Sequence, residues 1–152
     1  KEYESYPTVR NGKIFFKSNH KAPNFKIYVT DINKPEFKHW KEFYPEKETV
    51  LQSFVITTDH ILVLYKKDVL KRIAVYDFDG KYIKELEAPE FGDVSGISYN
   101  EDMNTVFVGL TTFTSPTKLY KLDGKTLEWE KIILWPGISR LEMGILFTPA
   151  CR

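Results

Sequence analysis

Cysteine is nearly absent: the 152 residues contain one, Cys151. A lone thiol closes no internal disulfide, so the chain is not a stapled scaffold, and the count points to a reducing compartment such as the cytoplasm or to indifference. No stretch approaches about 18 consecutive apolar side chains, which rules out a membrane-spanning helix. An excess of one charge is missing as well: 22 basic residues face 21 acidic ones, for a formal net charge of +1. Such a chain has no broad field to hold nucleic acid or an anionic membrane, and neither is expected as a partner. No Asn-x-Ser/Thr acceptor occurs, so nothing marks secretion. The sequence opens at Lys1, and residues 1–6 lack the apolar core of a signal peptide, so it reads as a piece of something larger.

Aromatic residues are plentiful, at 15% of the chain, with nine Tyr, eleven Phe and three Trp. Together with β-branched residues they favour pleated strands. No segment carries apolar residues at a 3.6 period over three turns, so no helix is expected. Strands are expected at residues 14–17 after Asn11-Gly12, a strong hairpin signal, at 61–65 after Thr58-Asp59, and at 106–110 after a polar stretch. Further strands fit residues 27–31, 73–78 and 118–122.

These segments recur at about 46 residues. Asp31, Asp77 and Asp123 each close an apolar strand, and Phe15, Ile61 and Phe107 fall on the same interval in the strand before. Each unit ends in an outer strand and a proline: residues 40–44 with Pro45, 82–86 with Pro89, and 131–135 with Pro136. A four-stranded unit of this length is the signature of a β-propeller blade, and a lipocalin-like barrel or a sandwich needs no such register. The expected fold is all-β, a partial β-propeller of three four-stranded antiparallel blades at roughly residues 1–45, 46–89 and 90–137. Residues 138–152 form a divergent tail. Closed rings have four or more blades, so an arc of three exposes two faces, and self-association or marginal stability is expected.

Three segments carry a family resemblance. Asn24-Phe25-Lys26-Ile27, then residues 34–41 (Lys-Pro-Glu-Phe-Lys-His-Trp-Lys) with Tyr44-Pro45-Glu46, and finally residues 110–116 with Leu119-Tyr120, resemble the propeller of prolyl oligopeptidases. The likeness runs over roughly residues 2–137. WD40 proteins match less well, since no Gly-His or Trp-Asp pair closes a unit. The resemblance implies the last three blades of a seven-bladed propeller from a serine peptidase that cleaves short peptides after proline. In that family the propeller caps an α/β-hydrolase domain, restricts access to it, and leaves the triad to that domain. The partners so implied are the hydrolase domain and, through the whole enzyme, short proline-containing peptides. Residues 138–152 depart from the strand expected there; Gly144 and Pro149 limit any helix to a turn or two.

The residues themselves offer no catalytic, cofactor-binding or metal site, and no cofactor is expected. Gly92-Asp93-Val94-Ser95-Gly96 has its serine fourth rather than third and no following helix, so it is expected as a turn and not as a nucleophile elbow. His20, His39 and His60 show no ligand spacing. Asp31, Asp77 and Asp123 are expected to set turns through backbone N–H groups. Lys66-Lys67 and Lys71-Arg72 read as a solvated loop between two strands, and Trp40, Trp129 and Trp135 as packing residues of outer strands. Two functions fit: the non-catalytic gating portion of a prolyl-oligopeptidase-like peptidase, inactive alone, or a stand-alone propeller-type binding or scaffold module. A truncated product without function is the third possibility.

Overall fold

The computed structural model describes residues 5–132. Twelve strands form three four-stranded antiparallel sheets, each in chain order. The first holds β1 (Ser5–Arg10), β2 (Lys13–Ser18), β3 (Lys26–Asp31) and β4 (Lys41–Tyr44). The second holds β5 (Val50–Ile56), β6 (Ile61–Lys67), β7 (Leu70–Tyr76) and β8 (Tyr82–Leu86). The third holds β9 (Asp93–Asn100), β10 (Thr105–Thr111), β11 (Lys118–Asp123) and β12 (Trp129–Lys131). One 3-10 turn, Phe37–His39, is the sole helical element among the described residues. The architecture is all-β, three blades of a β-propeller. Trp135, Pro136, Cys151 and the tail at 138–152 lie outside the described residues.

The middle blade explains why these strands carry unbroken apolar runs. Successive side chains on a strand point to opposite faces. Ile61 and Val63 of β6, with Ala74 and Tyr76 of β7, pack against Phe15, Ile27, Phe43 and Tyr44 of the first blade. The alternate residues Leu62, Leu64, Ile73 and Val75 pack against Val106, Val108, Tyr120 and Leu122 of the third. A sheet buried on both faces needs apolar residues at every position, so Ile-Leu-Val-Leu and Ile-Ala-Val-Tyr replace alternation.

Two expectations shift by a residue or two. The interval of 46 holds for Asp31, Asp77 and Asp123, yet the residue equivalent to Phe15 and Phe107 is Leu62 rather than Ile61. Phe15 pairs with Val29, Leu62 with Val75 and Phe107 with Lys121, and these partners sit two residues before the three aspartates. The β6–β7 hairpin turns tightly between Lys67 and Leu70, which shortens the second unit there by one residue. A slip of one position reverses the face, which is why Ile61 looks back to the first blade while Phe15 looks forward. The third outer strand runs over Trp129–Lys131 among the described residues, starting two residues ahead of the expected 131–135, of which 133–135 lie outside them. Leu127 at φ +61° reverses the chain early, and Trp129 already faces Leu122.

Leu62 has no exposure to solvent. Leu62→Ala is expected to lower the unfolding free energy by about 2–5 kcal/mol in denaturant titration, as a cavity opens in the seam between blades. A loss under about 1 kcal/mol would contradict a close-packed seam.

Candidate functional site

Four antiparallel strands per blade mean that each blade starts and finishes at the same end. One end of the arc, here the linker end, therefore carries the inter-blade linkers and the β2–β3, β6–β7 and β10–β11 hairpins. The other, the turn end, carries the remaining turns.

At the linker end the first two blades are tied by the motif segments. The Asn24 backbone N–H donates to Glu46 Oε1 at 2.8 Å, and its side-chain amide donates to the Lys47 carbonyl at 2.9 Å. Leu51 N–H then donates to the Asn24 carbonyl at 3.0 Å, so β5 is hung from this loop. Lys47 seals the linker: its ammonium lies over the Tyr44 ring and donates to the Tyr76 hydroxyl at 2.8 Å. Asn24 and Glu46 are 22 positions apart in sequence, and this clasp brings them together. The second and third blades are joined by Lys71, whose backbone N–H donates to Asp93 at 2.6 Å and whose ammonium reaches Asp93 and the Val94 carbonyl.

The turn end is wired differently. Asp31, Asp77 and Asp123 each accept backbone N–H groups through Oδ1, from Asn33, from Asp79 and Lys81, and from Lys125 and Thr126. They set turns, as expected, and those N–H groups hold the Asp123 carboxyl below the ordinary carboxylate range. Asn104, left-handed at φ +44°, accepts from the Tyr99 hydroxyl and the Thr58 N–H. Gly124 accepts through its carbonyl from Thr57 Oγ1 at 3.0 Å and from His60 Nδ1 at 3.1 Å, so Nδ1 carries the proton. Arg10 of the first blade crosses to Glu101 and Tyr99 of the third.

The other singled-out residues do not converge. Ser95 lies within β9, a correction to the turn expected there: Gly109 faces Gly96 and Leu110 faces Val94, which leaves exposed Ser95 as the bulged residue. A bulged strand holds no sharp strand-to-helix turn, so no nucleophile elbow forms. His20 meets the edge of Phe37, His39 sits beside Glu36, and His60 serves the turn end. Among the described residues no three His, Cys, Asp or Glu side chains gather as a metal site. Trp40 precedes β4 rather than lying in it, packing on Phe16 and Phe37 and donating to the Pro35 carbonyl at 2.9 Å. Trp129 is in β12 and meets Tyr120 edge-on. Lys66 and Lys67 are exposed, but Arg72 pairs with Glu85 at 2.9 Å.

Sequence reasoning passed over two features. Glu90, in the linker before β9, takes the Lys118 ammonium at 2.5 Å and the Tyr120 hydroxyl. These donors, Lys118 first, hold its carboxyl below the usual 4.5, while burial and then the Glu90 carboxylate push the Tyr120 phenol up to about 12. Phe91 and Phe113 stack on each other at 6.4 Å in the linker and in the β10–β11 hairpin, 77% and 85% exposed. An aromatic residue in a turn is the only sequence signal for that pair.

The arrangement defines a class: a run of propeller blades whose polar side chains tie blade to blade, presenting contact surfaces at two ends. The sequence matches the prolyl oligopeptidase N-terminal β-propeller domain over residues 2–132. A prolyl endopeptidase of Dictyostelium discoideum is 32% identical over 135 residues, 83% of this chain and 18% of that protein. Prolyl oligopeptidase A of Amanita bisporigera is 30% identical over 105 residues, 68% of this chain and 14% of its own. A solved structure from a mechanistic analysis of two prolyl endopeptidases superimposes with a TM-score of 0.78 at 25% identity, over 86% of this chain and 19% of that one. Prolyl oligopeptidase B from Galerina marginata shares the fold, with a TM-score of 0.71 at 23% identity, over the same shares of both chains. The chain belongs to the prolyl oligopeptidase family, within its N-terminal β-propeller domain. It spans less than a fifth of the relatives' length. No helix among the described residues is long and apolar enough to cross a membrane.

Two outcomes follow from this geometry. A Cβ on Gly124 would lie 2.4 Å from Asn104 Oδ1 and 2.7 Å from its carbonyl. Gly124→Ala should therefore destabilise by about 1–3 kcal/mol in denaturant titration, and a neutral result would contradict the close approach. Because the Glu90 carboxyl is held low, its contacts stabilise the fold above the ordinary carboxylate range, and that contribution is lost as pH falls through and below it. The stability gap between the native chain and Glu90→Gln should thus be open at about pH 6 and closed at about pH 3 in thermal melts. A gap independent of pH would refute the assignment.

Proposed function

We propose that this chain is the non-catalytic, substrate-gating propeller portion of a prolyl-oligopeptidase-like serine endopeptidase that cleaves short peptides after proline. The observation that carries this is the match to the family's propeller domain over residues 2–132, with under a fifth of each relative spanned. On this reading the triad belongs to an α/β-hydrolase domain that the 152 residues do not include, and short proline-containing peptides reach it past the propeller. The linker end is the natural side for that partner, since β12 runs toward it, Ile132 N–H donating to the Leu119 carbonyl. A cytoplasmic location goes with this reading, supported by the single cysteine.

A second reading, a stand-alone binding or scaffold module that also self-associates, is favoured by the exposed Phe91–Phe113 stack. The purified chain, incubated with a proline-containing dye-releasing peptide, should release no dye. Release abolished by a serine-directed inhibitor would overturn the non-catalytic assignment. In sedimentation, association that rises with concentration and disappears in Phe113→Ser would favour the scaffold reading.

A further inference from the structure

The first blade carries a cleft that neither the fold nor the proposed function uses. It is a hollow of about 330 Å³ at the turn end, walled by Lys13, Val29, Asp31, Lys34, His39 and Lys41.

 In the larger hollow, about 410 Å³ between the second and third blades, both cations already have partners, Lys71 with Asp93 and Arg72 with Glu85, and Glu90 is paired with Lys118. The smaller one is different. Val29 packs against the seam with the second blade, and Lys13 and Lys41 are the register partners of Asp31 and Val29, so these four share one side of the sheet.

The charges in this cleft are unbalanced. Three other lysines of the first blade are engaged: Lys17 donates to the Gln52 carbonyl, Lys26 pairs with Glu42 and Lys38 with Glu36. The ammonium groups of Lys13, Lys34 and Lys41 have no carboxylate within ion-pair distance among the described residues. The Asp31 carboxylate is held in its own turn by the Asn33 backbone and side-chain N–H groups. Glu36, already paired with Lys38, lies 3.8 Å from His39 Nε2. The backbone that carries Lys34 is set, since the Thr30 hydroxyl donates to its carbonyl at 2.7 Å and its N–H donates to the Asp31 carbonyl at 2.9 Å.

Comparison between blades separates Lys13 and Lys34 from the needs of the fold, whereas the counterpart of Lys41, opposite Val75, is Lys84. The positions equivalent to Lys13 are His60 and Thr105, opposite the same point of the third strand, and those three residues past the repeated aspartate are Gly80 and Thr126 where the first blade has Lys34. The same turn is thus built twice without either lysine. With a net charge of only +1, the chain has no general attraction for anions, so any binding here is local.

We propose that this cleft binds a compact polyanion of the phosphate class. Lysine ammoniums act as point charges that bind phosphate oxygens without a fixed approach angle, and three of them in one hollow suit an anion that carries several negative charges. Its volume is near the lower limit of small-molecule pockets, which fits a ligand of one or a few phosphate groups. The site is independent of peptidase chemistry and goes beyond the gating reading.

Tripolyphosphate, titrated into the purified 152-residue chain by calorimetry at low salt, is the probe. Saturation at one ion per chain is expected. The triple variant Lys13→Gln, Lys34→Gln, Lys41→Gln should bind about tenfold more weakly or worse. A control of equal charge, Lys66→Gln, Lys67→Gln, Lys125→Gln, should stay within about twofold. No saturable binding, or equal weakening in both triples, would overturn the proposal. If the cleft triple fails to melt cooperatively, the single variants Lys13→Gln and Lys34→Gln carry the test, each expected to weaken binding about threefold. Native affinity in both singles would then overturn it.

Discussion

Everything in this chain depends on the burial of the middle blade between its two neighbours. A four-stranded sheet this small cannot bury its apolar faces alone, so each blade is stable only as part of a stack. Ile61, Val63, Ala74 and Tyr76 face one neighbour, and Leu62, Leu64, Ile73 and Val75 the other. The two seams together make up the described core. The outward faces of the first and third blades are less uniformly apolar, and on the first an aromatic group of Phe16, Tyr28, Phe37 and Trp40 takes that place.

Polar contacts then decide how the stacked blades are held in angle. At the linker end the ties are short and local to each seam, with Asn24 on Glu46 and Lys71 on Asp93. At the turn end they form a chain that runs from Arg10 of the first blade through Tyr99 and Asn104 of the third to Thr58 of the second. Apolar packing sets the distance between sheets but tolerates sliding, whereas directional hydrogen bonds at both ends do not. Membership of the prolyl oligopeptidase family, within its N-terminal β-propeller domain, accords with such an arc of stacked blades.

Much of the fold was legible in the sequence because a repeated unit signs itself at every turn. Asp31, Asp77 and Asp123 were readable as turn-setting residues, since the aspartate bonds to backbone only two to four positions away. Counting from the aspartates points to Ile61 as the counterpart of Phe15, because a hairpin shorter by one residue reverses faces without disturbing the aspartate interval. Ser95 reads as a turn residue, since neighbouring glycines mark a β-bulge and a turn alike. The lysine cleft escaped notice: Lys13, Lys34 and Lys41 are spread over three segments, and nothing local marks them as neighbours.

The sequence by itself determined the strands, their turns, the count of three units and the family, because those rest on short apolar runs, local hydrogen bonds and a spacing repeated from blade to blade. Tertiary structure alone decided which side of each strand meets which neighbour, that Asn24 closes on Glu46, that Arg10 reaches Glu101, and that three lysines share one hollow. Those contacts join residues far apart in the chain, and their geometry follows from how whole sheets stack, which no local pattern encodes.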